Sequence, residues 1–409
     1  MSLLKQLAGE TAIYGLSSII GRVVSWGIMT PYLTRVFEKT EYGIVSELYF
    51  YIAFALVIFT YRIETAYFRF ASKANPVTQG NWSKDTVFST ASLALLGTTL
   101  FLTTIMLGLA PQIATVLAYP GRTDYVRIFT LIIAFDALAA IPFARLRMDN
   151  RPIRFAIVKL ASIVVNVSMV FFFLEACPWL IEQGVAWVEH IYNPEKRIAY
   201  IFWANLIASG ITLLWLAPLY RNLVWRFASD LWQRMMKYSL PLVLAALAGV
   251  VNSLIGNPLL KWFGPGSWEE NLALGGLYTA GAKLAVLMNL FIQAFNYAAE
   301  PFFFRQAAAS DKKKIYAEVA RAFALVGSLA FMGIMLYLDV IQYFLGKDFR
   351  EGLGILPILL VANFFLGLYY NFSIAYKLSD QTQWAGYIAL IGSVITLSLG
   401  IGLIPSLSY

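Results

Sequence analysis

Apolar residues in this chain come in blocks of about twenty, separated by short polar stretches. A helix needs about 20 apolar residues to cross the hydrocarbon layer of a bilayer. About eleven such runs can be read, with approximate cores at 12–34, 44–66, 86–108, 125–144, 154–175, 199–219, 239–260, 274–298, 320–343, 353–375 and 384–404. The pattern predicts an all-α polytopic membrane protein with short loops. The longest expected exterior loop, from Cys177 to Arg197, contains Trp179, Trp187, His190 and Tyr192. It reads as an interfacial helix with aromatics at headgroup level.

Composition sharpens this picture. Of 409 residues, 59% are hydrophobic and 13% charged, and mean hydropathy is +0.68. Soluble domains carry about 25% charged residues. A cytosolic enzyme, a disulfide scaffold and a disordered chain are therefore excluded. A single cysteine, Cys177, leaves no internal disulfide and no multi-cysteine metal site. Met1–Glu10 is short and polar, and the apolar stretch after it is too long for a cleavable signal.

The net charge of +8 follows from topology, because Lys and Arg collect in cytoplasmic loops; no nucleic acid partner is expected. With the N-terminus in the cytoplasm, about eighteen basic residues fall inside and about nine outside. The inside clusters are Arg145, Arg147, Arg151 and Arg154; Arg221, Arg226, Arg234 and Lys237; and Arg305, Lys312, Lys313 and Lys314.

The two halves of the chain resemble each other. Span 2 ends Glu64-Thr65-Ala66-Tyr67-Phe68-Arg69, and span 8 ends Glu300-Pro301-Phe302-Phe303-Phe304-Arg305. Before span 2 stands Leu33-Thr34-Arg35-Val36-Phe37, and before span 8 Leu260-Lys261-Trp262-Phe263, each followed by an acidic loop. Six spans in the first half place the second repeat in the same orientation. The repeats are then parallel, an arrangement common among transporters. The expected division is an N-terminal lobe over 1–220, a cytoplasmic interfacial connector over 221–237 and a C-terminal lobe over 238–409.

Charges inside spans need a reason, since each costs about 2.5–3.5 kcal/mol at mid-bilayer. Arg22, Arg62, Lys159 and Lys283 are the candidates for a cationic cavity that holds phosphate, because guanidinium forks match phosphate oxygens and Lys adds a point charge. Asn289, Gln293 and Asn296 recur at helical spacing on span 8 and, with Asn205 on span 6, are candidate polar lining. Asp136 and Glu47 are candidates for ion coupling. Glu64, Arg69, Glu300 and Arg305 are candidates for salt bridges closing the cytoplasmic side of each half. The structural alternative is pairing between helices, with Arg62 meeting Glu64 or Asp136, Lys159 snorkelling to the surface, and amides bridging neighbours.

No Gly-rich Lys-Ser/Thr phosphate loop, His-Glu-x-x-His or Gly-x-Ser-x-Gly motif occurs. No enzyme activity, metal or cofactor is expected. A membrane enzyme that polymerises or acylates glycans would need a catalytic His or acid cluster, and the lone His190 offers none.

The run Tyr14-Gly15-Leu16-Ser17-Ser18, Gly21-Arg22, Pro31-Tyr32-Leu33-Thr34-Arg35-Val36-Phe37 and Glu41-Tyr42-Gly43 resembles the first span and loop of Wzx-type oligosaccharide flippases. These belong to the multidrug/oligosaccharidyl-lipid/polysaccharide (MOP) exporter superfamily. Thr60–Phe70, Asn205 and Ala299-Glu300-Pro301-Phe302-Phe303 are similar to the same family. The resemblance implies two pseudo-symmetric helical lobes around a central cavity, with 12 or more spans. It implies a carrier that moves undecaprenyl-pyrophosphate-linked oligosaccharide from the cytoplasmic to the periplasmic leaflet by alternating access; a monomer in a bacterial inner membrane is expected. A polysaccharide polymerase and chain-length machinery are the implied partners, besides membrane lipids. Arg22 and Arg62 stand where cationic cavity residues occur in that family. The family pattern also leads one to expect a twelfth span after Pro405, so the second lobe reads as incomplete. The alternative function is a cation-coupled multidrug exporter of the same superfamily; basic residues in spans 1, 2 and 8 argue against it, and Asp136 argues for it.

Overall fold

A computed structural model describes residues 20–21, 23–72, 82–305, 312–378 and 383–407. These are helical nearly throughout. The helices are α1 (23–36), α2 (Lys39–Thr60), α3 (Ile63–Ser72), α4 (Lys84–Gly108), α5 (Ala110–Val116), α6 (Thr123–Met148), α7 (Pro152–Phe171), α8 (Cys177–Glu182), α9 (Ala186–Ile191), α10 (Arg197–Leu216), α11 (Ser229–Leu254), α12 (Gly256–Phe263), α13 (Trp268–Arg305), α14 (Lys312–Leu336), α15 (Leu338–Ile341), α16 (Leu356–Leu378) and α17 (Gln383–Leu407).

Ten stretches among the described residues are long and apolar enough to cross a membrane. They coincide with the sequence-predicted spans 2 to 11; the first predicted span, 12–34, lies partly outside the described residues. Large apolar side chains face outward on many of these helices, among them Leu325, Leu329, Met332, Ile358, Phe365, Ile391 and Val394. So much exposed apolar surface is stable only against lipid. The chain is a polytopic helical membrane protein.

The chain divides into two compact units, one of residues 1–25 and 51–247, the other of 26–50 and 248–409. In the first unit α6 is the hub, packed against α3, α4, α5, α7 and α10. Its middle is rich in apolar residues, as a surrounded helix requires: Ile132, Ile133, Ala137, Ile141 and Ala144 are fully buried. Ile63 and Ala66 of α3, Phe88 and Ala91 of α4, and Leu231 and Met235 of α11 join Ile141 in one core cluster. Chain punctuation is local. Ser83 caps α4 by accepting from the Thr86 amide, a favoured N-terminal device. Asn150 takes a left-handed φ of 49° and Pro152 opens α7, so α6 stops and the chain reverses.

In the second unit α13 is the hub, packed against α12, α14, α16 and the 3-10 stretch Lys347–Ile355. A fully buried Phe323 stacks on Phe291 and Phe364 at 5.5 and 5.9 Å. Residues 26–50 belong to this unit. Trp26 stacks on Phe344 at 4.5 Å, and Tyr42 meets Phe349 edge-on at 5.3 Å. Gly43 of α2 and Gly276 of α13 let two backbones touch: a Cβ on Gly43 would collide with the Leu272 carbonyl, and one on Gly276 with the Lys39 carbonyl.

The expected single interfacial helix over 177–197 is resolved into several pieces. The α7 helix continues through a π-helical turn, Phe172–Ala176, into α8, and then α9 follows. Phe173, Tyr200 and Tyr192 form a three-ring stack at 4.9 and 5.0 Å, which holds α9 against α10. Trp179 and Trp187 stay exposed, as headgroup-level aromatics would.

Gly276→Ala is expected to destabilise the detergent-solubilised protein by about 1–3 kcal/mol, the usual cost of overpacking. Gly97→Ala, where nothing lies within 4 Å of the new Cβ, should leave the thermal midpoint unchanged in the same assay.

Candidate functional site

The helix of the second span is interrupted. Between α2 and α3, Tyr61 and Arg62 take φ of 34° and 57°. Two consecutive left-handed residues with side chains are strained, and such strain collects at functional positions. The break turns Arg62 back onto Glu64, at 3.2 Å. Of the two carboxylates the sequence offered to Arg62, Glu64 is the one it meets. Arg69 does not pair with Glu64; its guanidinium lies 4.2 Å above the Tyr238 ring. The physical reason is the break itself, which gives Glu64 a nearer cation two residues upstream. Span 8 carries the same sequence pattern but runs on as one helix, α13, without a break. The side chains of Glu300 and Arg305 lie outside the described residues, as does Arg22.

Asp136 of α6 sits at mid-span in the first unit. Ser209 of α10 and Lys159 of α7 are its polar neighbours. Ser209 is also 3.4 Å from the Asn205 amide oxygen. Lys159 is exposed, and its Nζ stands 4.2 Å over the Phe143 ring. Asp136, Lys159, Asn205 and Ser209 therefore form one polar group carried by three helices. It can hold a proton or share a positive charge within an apolar bundle.

In the second unit, Lys283 lies at the middle of the α13 span. It is exposed, and among the described residues no carboxylate lies within ion-pair distance of it. Its backbone is held by Trp26, whose indole N–H donates to the Lys283 carbonyl at 2.7 Å. Two turns on, Asn289 Nδ2 donates to the side-chain oxygen of Asn363 on α16 at 3.1 Å, and Asn363 donates to the Ala285 carbonyl at 3.4 Å. Asn289 thus bridges helices, while Gln293 and Asn296 are partly exposed along the same helix.

Glu47 has a partner that the sequence reading missed. Both its carboxylate oxygens accept from Lys261 Nζ at 3.0 Å, and neither side chain has any exposed surface. Trp262 and Trp268 place their rings 5.3 and 5.7 Å from the same ammonium. Asn257 donates to the Gly43 carbonyl at 3.0 Å. The pair is thus a bidentate, enclosed ion pair inside the second unit. The only signal in the sequence was Lys261 at the end of an apolar run, in the repeat motif that aligns it near Arg35. Arg35 itself donates to the Tyr343 carbonyl at 2.8 Å, and Lys39 pairs with Glu351.

Among the described residues no group of three or more His, Cys, Asp or Glu side chains is placed to hold a metal ion.

No family model matches the sequence, and no curated protein matches it. Solved structures do. An inward-facing multidrug resistance MATE family transporter of the MOP superfamily aligns with a TM-score of 0.54 at 12% identity, over 97% of this chain and 96% of that one. An outward-facing MATE family transporter of the same superfamily aligns with a TM-score of 0.52 at 11% identity, over 97% and 93%. A MOP superfamily transporter from Pyrococcus furiosus, described by a binding pocket of reverse polarity that suggests a different function, aligns with a TM-score of 0.51 at 11% identity, over 97% and 93%. The chain has the fold of the MATE transporters of the MOP superfamily.

Removing one partner of a buried ion pair leaves the other charge uncompensated, at about 3–5 kcal/mol. Glu47→Gln and Lys261→Met should each destabilise by that amount in thermal unfolding. The double variant should recover more than half of the loss, because no lone charge is left.

Proposed function

We propose that this chain is a lipid-linked glycan flippase. It moves undecaprenyl-pyrophosphate-linked oligosaccharide from the cytoplasmic to the periplasmic leaflet of a bacterial inner membrane, for O-antigen, capsule or exopolysaccharide biosynthesis. It does so by exposing its site alternately to the two sides, with its N-terminus in the cytoplasm.

Lys283 carries this reading. An ammonium at mid-span costs about 2.5–3.5 kcal/mol on insertion scales, and neighbouring carboxylates are the usual remedy. Lys283 has none within ion-pair distance among the described residues and is exposed. Water and an anionic headgroup are the remaining remedies, and a pyrophosphate supplies the anion. Arg62 is paired with Glu64 but keeps 42% of its side chain exposed, and the fork geometry of Arg lets such a group meet a phosphate in its own unit as well. Glycan hydroxyls would meet Gln293 and Asn296. Asp136, beside Lys159, is the candidate carrier of a coupling proton or cation.

Fold alone does not select the cargo. The neighbours in this fold include MATE multidrug transporters and the Pyrococcus protein with a reverse-polarity pocket. Such variation supports a reading in which intramembrane basic charge, rather than an acidic pocket, sets the substrate here.

The test is transport by purified protein in proteoliposomes. A short-chain polyprenyl-pyrophosphate oligosaccharide should be translocated. Lys283→Ala should slow it at least tenfold, which is about 1.4 kcal/mol of barrier. Lys283→Arg should keep most of the activity. Uptake of an organic cation with no glycan movement would favour the multidrug exporter.

A further inference from the structure

The link between α10 and α11 combines basic charge with outward apolar side chains. A 3-10 turn, Ala217–Asn222, leads into residues 223–228, and α11 begins at Ser229. The backbone of this strap is fixed. The Val224 N–H donates to Ser89 Oγ at 3.0 Å, and the Ala228 N–H donates to Thr90 Oγ1 at 3.3 Å. Ser89 and Thr90 are fully buried in the second turn of α4. With its main chain tied inward, the strap presents its side chains outward. Trp225 is 80% exposed, Val224 50% and Phe227 48%.

Charge surrounds these apolar groups. Between 221 and 237 stand Arg221, Arg226, Arg234 and Lys237, against Asp230 as the one acid. Arg221 and Arg226 are exposed, and neither has a carboxylate within ion-pair distance among the described residues. Arg234 rests 5.3 Å over Trp82. More basic charge lies at the same end of this unit. Arg145 at the end of α6 pairs with Asp85 at the start of α4 at 3.0 Å, and exposed Arg151 follows before α7.

Depth identifies the partner. The strap joins two membrane-spanning helices where both leave the hydrocarbon layer, so it lies at headgroup level. Tryptophan prefers that zone, and basic residues beside an anionic leaflet are attracted to it. Guanidinium groups on either side of a seated Trp match phosphate oxygens in geometry. We infer that residues 223–227 form a headgroup-anchoring strap that binds anionic phospholipids, with Trp225 seated among the headgroups and Arg221 and Arg226 holding their phosphates. This inference is independent of what the chain transports.

The test measures thermal unfolding of the full chain in detergent micelles doped with phosphatidylglycerol or with phosphatidylcholine. Phosphatidylglycerol should raise the midpoint more than phosphatidylcholine does, and inorganic phosphate at the same concentration should not reproduce the difference. The variant Arg221→Gln/Arg226→Gln should lose at least half of it, and Trp225→Ala should lose part. Arg127→Gln, an exposed position on α6 far from the strap in sequence, should keep it all. Salt of about 0.5 M, where the Debye length is under about 5 Å, should shrink the difference in the wild type. Equal midpoints with the two lipids in the wild type would overturn the proposal. So would a double variant that keeps the full phosphatidylglycerol effect.

Discussion

The ion pair between Glu47 and Lys261 decides where a whole segment of this chain belongs. Two opposite charges with no exposed surface are costly to bury and more costly to separate. Around them lie the Gly43–Gly276 backbone contact, the Asn257 bond to the Gly43 carbonyl and the Lys39–Glu351 pair. Together these tie residues 26–50 into the second unit, although the chain on both sides of them, 1–25 and 51–247, forms the first. Glu47 is therefore a structural anchor of that unit. Asp136 is different. It shares its surroundings with Lys159 and Ser209 and is not locked in a bidentate pair.

Lys283, Arg62 and Lys159 all sit inside spans, and each is treated differently. Arg62 is neutralised by Glu64 at a strained helix break. Lys159 lies over an aromatic face near Asp136. Lys283 alone of the three is exposed without either kind of support among the described residues. A bilayer tolerates that only where water or an anion can reach it, and this links the packing of α13 to the proposed anionic cargo.

The spans were legible in the sequence because a block of twenty apolar residues has few other uses, and the segments 44–66 to 384–404 fell on helices accordingly. What escaped the sequence was pairing over long separations and local strain. Glu47 and Lys261 are 214 positions apart, and nothing in either neighbourhood marks the other. The break at Tyr61–Arg62 carries no Gly or Pro, the usual signals of such a turn. The repeat pattern aligns the ends of spans 2 and 8 as sequence, yet the helix of span 2 breaks and α13 does not. Arg69 illustrates the same limit: a cation five residues from an acid looked like its partner, but the break gave that acid to Arg62 and left Arg69 to Tyr238.

The claim that this fold carries an anionic lipid-linked glycan is tested most directly by leaflet sidedness of the undecaprenyl-pyrophosphate-linked oligosaccharide in the host cells. Cells with the gene, without it, and with Lys283→Ala would be compared by periplasmic access of a glycan-modifying probe. The account predicts that the oligosaccharide is trapped on the cytoplasmic leaflet without the gene and that Lys283→Ala fails to release it. Unchanged sidedness in a strain with no substitute flippase would contradict it.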